Sequence, residues 1–493
     1  MKAMRSKYPL RSLGVGESEV LVSEEERESH VHLLGSTGEG KSRLIEHLIR
    51  EDIRRGNGVC LLDPTDRAET AYNILRFCAQ EGIEKVCLVD PFTLRTHNRI
   101  TAVQPFHYTK SYRAASVANI LDTVRVLFQT KDASETPRIQ RYLSALLNVL
   151  WRAEMTLHEA VYFTDWRNFK REREEILWAS HPKDRHRLAI EAAFRSEYTF
   201  NNELASTVRR LEPFFDSTLD LMYGADYGIP FMKMISEGWV VLVNLYSGLG
   251  VEPIHTRLLG TTVINELIFA LDRLRNRGWR GAYYLYIDEA GRYANRNLAD
   301  LLAYKRKSGL RVTLAHQYFG QFDDRFILDA IKNLTKIKVM FNTPNPQDHL
   351  EMVKALGYGG QIPASLAQFS NADLPKQTAV IKVGKDSPKR IKIPDVPDIE
   401  IPRKVEEAYI NQCLLHEWCF HPEDVREMVR NRIYDPRDPR TNIQSPEPRK
   451  AHDRKAAHPP PVSRRVHPRD DQQGVPEGDE TTGATRGQEA IKI

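Results

Sequence analysis

Cysteine is scarce: the 493 residues hold five, Cys60, Cys78, Cys87, Cys413 and Cys419. An odd and scattered set builds no disulfide framework and fits a reducing compartment. One stretch, CLLHEWCFH (413–421), brings Cys413, His416, Cys419 and His421 close enough to suggest zinc ligands. Cys413, His416 and Cys419 also fall on a helical repeat, and small buried cysteines are common, so packing is the favoured reading. Long apolar runs are missing too, and nothing approaches the roughly 18 residues that a membrane span needs. The opening MKAMRSKYPL meets Arg11, Glu17 and Glu19 before any apolar stretch, which argues against a secretory signal. The expected location is the cytoplasm, without direct insertion into a membrane. Charge of one sign is weak as well. A net +5 over this length names no anionic partner. No solenoid-type repeat is present.

What is there is the composition of a soluble globular protein, 41% hydrophobic and 28% charged. Its first part alternates apolar strands and helical runs: HVHLLG (30–35), GVCLLD (58–63) and KVCLVD (85–90). That order predicts an α/β fold with a mostly parallel sheet. From about 110 to 222 only helical patterns follow. Strands resume with WVVLVNL (239–245), AYYLYID (282–288), LRVTLAH (310–316), KIKVMFN (336–342) and TAVIKVG (378–384). The expected division is a first core part over 1–109, an all-helical insertion over 110–222, a second core part over 223–400, a helical segment over 401–433, and a disordered tail over 434–493. The tail holds nine of the 27 prolines, and Tyr434 is its one aromatic residue, so it cannot build a core. Residues 437–469 carry nine Lys or Arg against three acidic residues, which suits either nonspecific nucleic-acid affinity or plain solubility. In the insertion, residues 166–195 hold eight basic and five acidic residues, a mixture that favours a solvated helix surface over specific recognition. Arg209 and Arg210 are candidates for contacting a neighbouring subunit's nucleotide, with a charged helix face the favoured reading.

The chemistry is concentrated in three places. GSTGEGKS, from Gly35 through Ser36, Thr37, Gly38, Glu39, Gly40 and Lys41 to Ser42, matches G-x-x-x-x-G-K-[ST] between an apolar strand and an amphipathic helix. Its glycines let the backbone N–H groups turn toward phosphates. Lys41 then neutralises the terminal phosphates and Ser42 ligates Mg²⁺. YLYIDEA places Asp288 and Glu289 at a strand end, Asp288 for the metal and Glu289 to polarise the attacking water. LRVTLAH ends at Gln317, an amide able to donate to a γ-phosphate and accept from water. The guanine-recognition pattern NKxD is absent, so ATP is the expected nucleotide rather than GTP.

HVHLLGSTGEGKS, the strand GVCLLDP ending in Asp63 and Pro64, YIDEA, and above all YKRKSGLRVTLAHQ (304–317) resemble the HerA/FtsK superfamily, particularly the TraG/TraD-type coupling ATPases of conjugative DNA transfer. The resemblance covers roughly residues 25–395. It implies a RecA-like P-loop core with an all-helical insertion, assembled as a hexameric ring around DNA. It assigns Lys41 and Ser42 to nucleotide and metal, Asp288 and Glu289 to hydrolysis, Gln317 to sensing and Arg306 to an arginine finger. A relaxase or secretion-channel proteins would be further partners, with recruitment to the inner membrane through one of them. No counterpart is expected ahead of Lys41 to the transmembrane helices or the amino-terminal β-barrel that mark branches of the superfamily, which counts against docking to a secretion channel and against a HerA-type repair role and favours a minimal coupling ATPase recruited by another protein, or a relative serving a mobile element or a defence system. Two other functions remain in play: an ATP-dependent recruitment or switch protein, and a motor of this architecture acting on protein substrates.

Overall fold

The computed structural model describes residues 10–16, 19–128, 137–215, 219–293, 298–299, 302–303, 309–322, 324–343, 345–356 and 375–433. The tail, 434–493, and Arg306 lie outside the described residues. Among the described residues thirteen strands run in chain order: β1 (Leu10–Val15), β2 (Glu19–Ser23), β3 (Val31–Leu34), β4 (Gly58–Asp63), β5 (Val86–Val89), β6 (Ile100–Thr101), β7 (Val240–Asn244), β8 (Tyr283–Ile287), β9 (Leu310–His316), β10 (Ile337–Met340), β11 (Thr378–Val383), β12 (Lys389–Lys392) and β13 (Cys419–Phe420). Eleven of them form one sheet in the order β2-β1-β12-β11-β10-β3-β9-β8-β4-β7-β5, while β6 and β13 pair separately.

The stretch from β10 to β5 is parallel throughout. Its strands are apolar along nearly their whole length because helices cover both faces, and each of β3, β4, β5, β7, β8 and β9 is buried at every position. The Lys41–Arg54 helix shows how the sequence arranges this cover. Leu44, Ile45, Leu48, Ile49 and Ile53 recur at helical spacing and are buried as one stripe, whereas Arg43 is half-buried and Arg54 exposed. The Pro253–Asn276 helix is buried on most sides and begins with Pro253 where no backbone donor is needed.

At the other edge, β11, β12, β1 and β2 are antiparallel. The expected sheet starts at residue 30 and lacks β1, β2 and β12. Between β6 and β7 every described element is helical, including the Arg113–Leu127, Pro137–Arg152, Lys170–Trp178 and Arg185–Ala193 helices, and its apolar side chains join the same hydrophobic core. Arg173 departs from the solvated surface expected of 166–195. It is buried, its guanidinium lies 4.3 Å over the Phe194 ring, and it donates to the carbonyls of Tyr162 (3.1 Å), Asp165 (2.8 Å) and Trp166 (3.2 Å).

In the cysteine–histidine stretch Cys413 and Cys419 are buried, as the packing reading expects, but the helical repeat is not met. Cys413 ends one helix and Cys419 opens β13, so no single helix carries the repeat. Cys419 is buried beside Thr101, His416 packs on Trp418, and no group of three metal-ligating side chains occurs among the described residues. No helix among them is long and apolar enough to cross a membrane.

Candidate active site

Strand β3 delivers the chain to the glycine-rich loop, and the loop sits between the ends of β9 and β10. Gly35 N donates to His316 O at 3.3 Å and Ser36 N to Asn342 O at 2.9 Å. A Cβ on Gly35 would approach that of Phe341 to 2.5 Å, so only glycine lets the loop leave the sheet here. Gly40 closes the loop at φ 115°, a value that side chains with a Cβ rarely adopt, and the helix starts at the next residue. Thr37 and Gly38 are exposed at the rim.

Lys41 turns back over this loop. Its Nζ donates to Gly35 O at 2.6 Å and to Ser36 O at 2.8 Å, and burial lowers its pKa against the opposing pull of Asp288, Glu289 and Glu39. Ser42 Oγ donates to Asp288 Oδ2 at 2.8 Å. Asp288, at the end of β8, is buried, and that burial raises its pKa while Ser42 and Lys41 work against the rise. A hydroxyl and a carboxylate presented side by side are the hard oxygen ligands that Mg²⁺ takes from a protein when phosphates supply the rest.

The next residue turns sharply. Glu289 adopts a left-handed backbone (φ 51°), which swings its side chain away from that of Asp288 and toward the end of β9. There Gln317 Nε2 donates to Glu289 Oε1, and Gln321 Nε2 reaches Glu289 Oε2 at 3.4 Å. Gln321 Oε1 in turn accepts from Gln317 N at 3.0 Å. Arg292 Nε stands 4.0 Å from Glu289 Oε2.

Lys41, Ser42, Asp288, Glu289 and Gln317 therefore converge at the carboxyl ends of β3, β8 and β9, where open α/β sheets bind ligands. Asp63 ends the adjoining β4 at the same edge. It accepts from Thr65 N, Thr65 Oγ1 and Ala71 N at 2.9, 2.6 and 2.7 Å, and burial still pushes its pKa up to about 6. Two neighbours, Gln321 and Arg292, were not among the residues expected from the motifs. Gln321 lies four positions past Gln317, a spacing that becomes informative only once the chain is known to turn back at 319–321.

A parallel sheet covered on both faces, a phosphate loop between strand and helix, and one strand, β9, inserted between the loop strand and the strand bearing the acidic pair define the RecA-like, additional-strand class of P-loop fold. The bacterial conjugative coupling protein TrwB, in its unbound form, shares this fold at 17% identity and a TM-score of 0.58, over 82% of this chain and 92% of that one. TrwB in complex with ADP and Mg²⁺ gives a TM-score of 0.55 at 17% identity, over 80% and 92%. VirB4 of Thermoanaerobacter pseudethanolicus gives 0.52 at 15% identity, over 80% and 98%. No protein-family model matches the chain, and no curated protein matches it by sequence. The resemblance expected from the motifs is met at the level of fold.

Proposed function

We propose that the chain is an ATP-hydrolysing translocase of DNA, a coupling ATPase of conjugative transfer that works as a hexameric ring. The observation that carries this reading is the convergence of a phosphate loop, a hydroxyl–carboxylate pair and a clamped glutamate at one sheet edge. In this reading Gly35 to Ser42 wrap the phosphates of ATP, and Lys41 exchanges its two loop carbonyls for phosphate oxygens. Ser42 and Asp288 would hold Mg²⁺, which neutralises phosphate charge when bound. Glu289 orients a water against the γ-phosphorus and accepts its proton as the bond to ADP breaks. Gln317, already on Glu289, is placed to register whether the γ-phosphate is present.

TrwB has been solved with both a GTP analogue and an ATP analogue, so the shared fold does not select the base. The missing NKxD pattern supports ATP. Arg306, eleven positions before Gln317, is proposed to reach the neighbouring subunit's nucleotide, and DNA to pass through the ring. A relaxase or secretion channel would receive that DNA, and a partner would bring the chain to the inner membrane.

Electron microscopy of the protein with ATP, Mg²⁺ and DNA tests this reading. Six-membered rings with density for DNA in the channel are expected. Monomers that bind ATP and ignore DNA would replace it with the switch reading.

A further inference from the structure

Strands β3 and β9 are parallel neighbours that end at the phosphate loop and at Gln317, and each carries a fully buried histidine near that end, His32 and His316. Their imidazoles meet Nε2 to Nε2 at 2.6 Å. The ring planes lie 11° apart and the centroids 4.8 Å apart. That separation exceeds the nitrogen–nitrogen distance by about the span of one ring, so the rings stand edge to edge in nearly one plane. This is the geometry of an in-line N–H···N hydrogen bond, not of face stacking.

Such a bond needs one nitrogen protonated and the other bare, and the far side of the pair decides which. His316 Nδ1 is 3.1 Å from Tyr318 O, which can only accept, so this nitrogen carries a hydrogen. In a neutral ring His316 Nε2 is then bare and accepts from His32 Nε2–H. His32 Nδ1 is left without a hydrogen, and it is a buried nitrogen with no hydrogen-bond partner. The opposite arrangement would require a second proton on His316. Burial opposes that, as do the nearby Lys41 and Lys332, with Lys338 acting on His32. Both histidines are held neutral, His316 with its pKa pushed down to about 3. Phe319 and Phe322 close the surroundings of His316 at ring distances of 5.3 and 4.9 Å.

The geometry points to His32 and His316 as a neutral relay that positions the turn 317–321, and through Gln317 and Gln321 the carboxylate of Glu289. The inference rests on Glu289 as the group that activates water. The sequence of contacts is continuous. His32 N–H donates to His316, His316 N–H holds Tyr318 O, Gln317 precedes that carbonyl and Gln321 donates its backbone N–H to it at 3.3 Å, and these two glutamines supply both amides that grip Glu289. The strand that ends in the phosphate loop is thereby tied to the residue that cleaves. Neither histidine touches the reacting atoms in this arrangement, and both are positioning residues.

Steady-state ATP hydrolysis by the full chain tests the relay. His316→Phe removes both hydrogen bonds and is expected to lower kcat roughly tenfold or more, with the KM for ATP within about twofold of the parent, because Lys41 and Ser42 do not depend on Tyr318. His316→Asn keeps a donor near the Nδ1 position, His32→Gln keeps one near Nε2, and both are expected to retain most of kcat. In a background that lacks both amides, Gln317→Ala with Gln321→Ala, His316→Phe should cost no more than about a further twofold, since the contacts it supports are already gone. A parental kcat in His316→Phe, an undiminished penalty in the double-alanine background, or equal damage from His316→Asn would overturn the relay.

Should His316→Phe not fold, nitrogen-15 spectra of the imidazoles decide, assigned by the signals lost in His32→Gln and His316→Asn. His316 protonated on Nδ1 and His32 on Nε2 are expected, and the reverse pattern overturns the assignment. An inert parent protein would remove the ATPase reading itself, whereas an active parent with an insensitive His316→Phe removes the relay alone.

Discussion

Lys41 and Glu289 lie at one site but answer to different steps, and their variants separate those steps. Lys41→Ala removes the cation that meets the phosphates and should abolish measurable ATP binding. Glu289→Gln keeps the loop, Ser42 and Asp288, so it should bind ATP while hydrolysing it about 10²- to 10⁴-fold more slowly. Titration with ATP and single-turnover rates distinguish the two, and an equal loss of binding in both would contradict the assigned roles. Asp63 supplies a test by pH. Burial raises its folded pKa from 3.8 to about 6, so the stability it permits is complete below the unfolded value and falls as pH rises through about 6. The change is on the order of 3 kcal/mol between pH 4 and 7. Asp63→Asn does not titrate. Whatever offset its altered hydrogen bonds impose, its stability relative to the parent should rise with pH across that interval in denaturant melts, and a flat difference would rule out a raised pKa.

At the level of elements, Arg432 ties the Pro422–Ile433 helix, whose Val425 is buried in the core, to the helical insertion and to the residues just beyond its end at 222. Arg432 bonds Asp226 at 2.8 Å, Thr156 at 3.1 Å, the buried Glu159 and the Gly224 carbonyl. Arg432→Ala leaves the Glu159 carboxylate buried beside Thr156 without its cation, which should cost about 3–5 kcal/mol in unfolding. Removal of 434–493, which lacks the apolar content to join a core, should leave both the melting temperature and basal hydrolysis nearly unchanged. A large drop on truncation, or none for Arg432→Ala, would reverse this account of what fastens the carboxyl-terminal region.

The same elements explain what could be read beforehand. GVCLLD and LRVTLAH are legible as strands because a parallel strand covered on both faces is mostly apolar, and the residues that follow them fall at the ligand edge by topology alone. β12 is KRIK, in which only Ile391 is buried, and it is a strand because Ile391 pairs with Ala379 of β11. No local pattern encodes that partner. Likewise β1 buries Leu13 and leaves Val15 in solvent, a signal too short to be distinguished from a loop. His32 and His316 look like ordinary core histidines until β3 and β9 are known to be neighbours.

For the whole molecule, the decisive property is that each site is proposed to be completed by another copy. Arg306→Ala should fold and bind ATP yet hydrolyse it on the order of 10³-fold more slowly. Mixed with Lys41→Ala it should recover activity at interfaces that pair an intact Lys41 with an intact Arg306. Normal DNA-stimulated hydrolysis by Arg306→Ala alone would eliminate the finger. The central claim, that the edge formed by Lys41, Ser42, Asp288, Glu289 and Gln317 hydrolyses ATP to move DNA, is tested most directly by the rate of phosphate release from ATP and Mg²⁺ with and without DNA. The account predicts turnover that DNA stimulates severalfold or more and that Glu289→Gln abolishes. Phosphate release no faster than that of Glu289→Gln, with or without DNA, would contradict it.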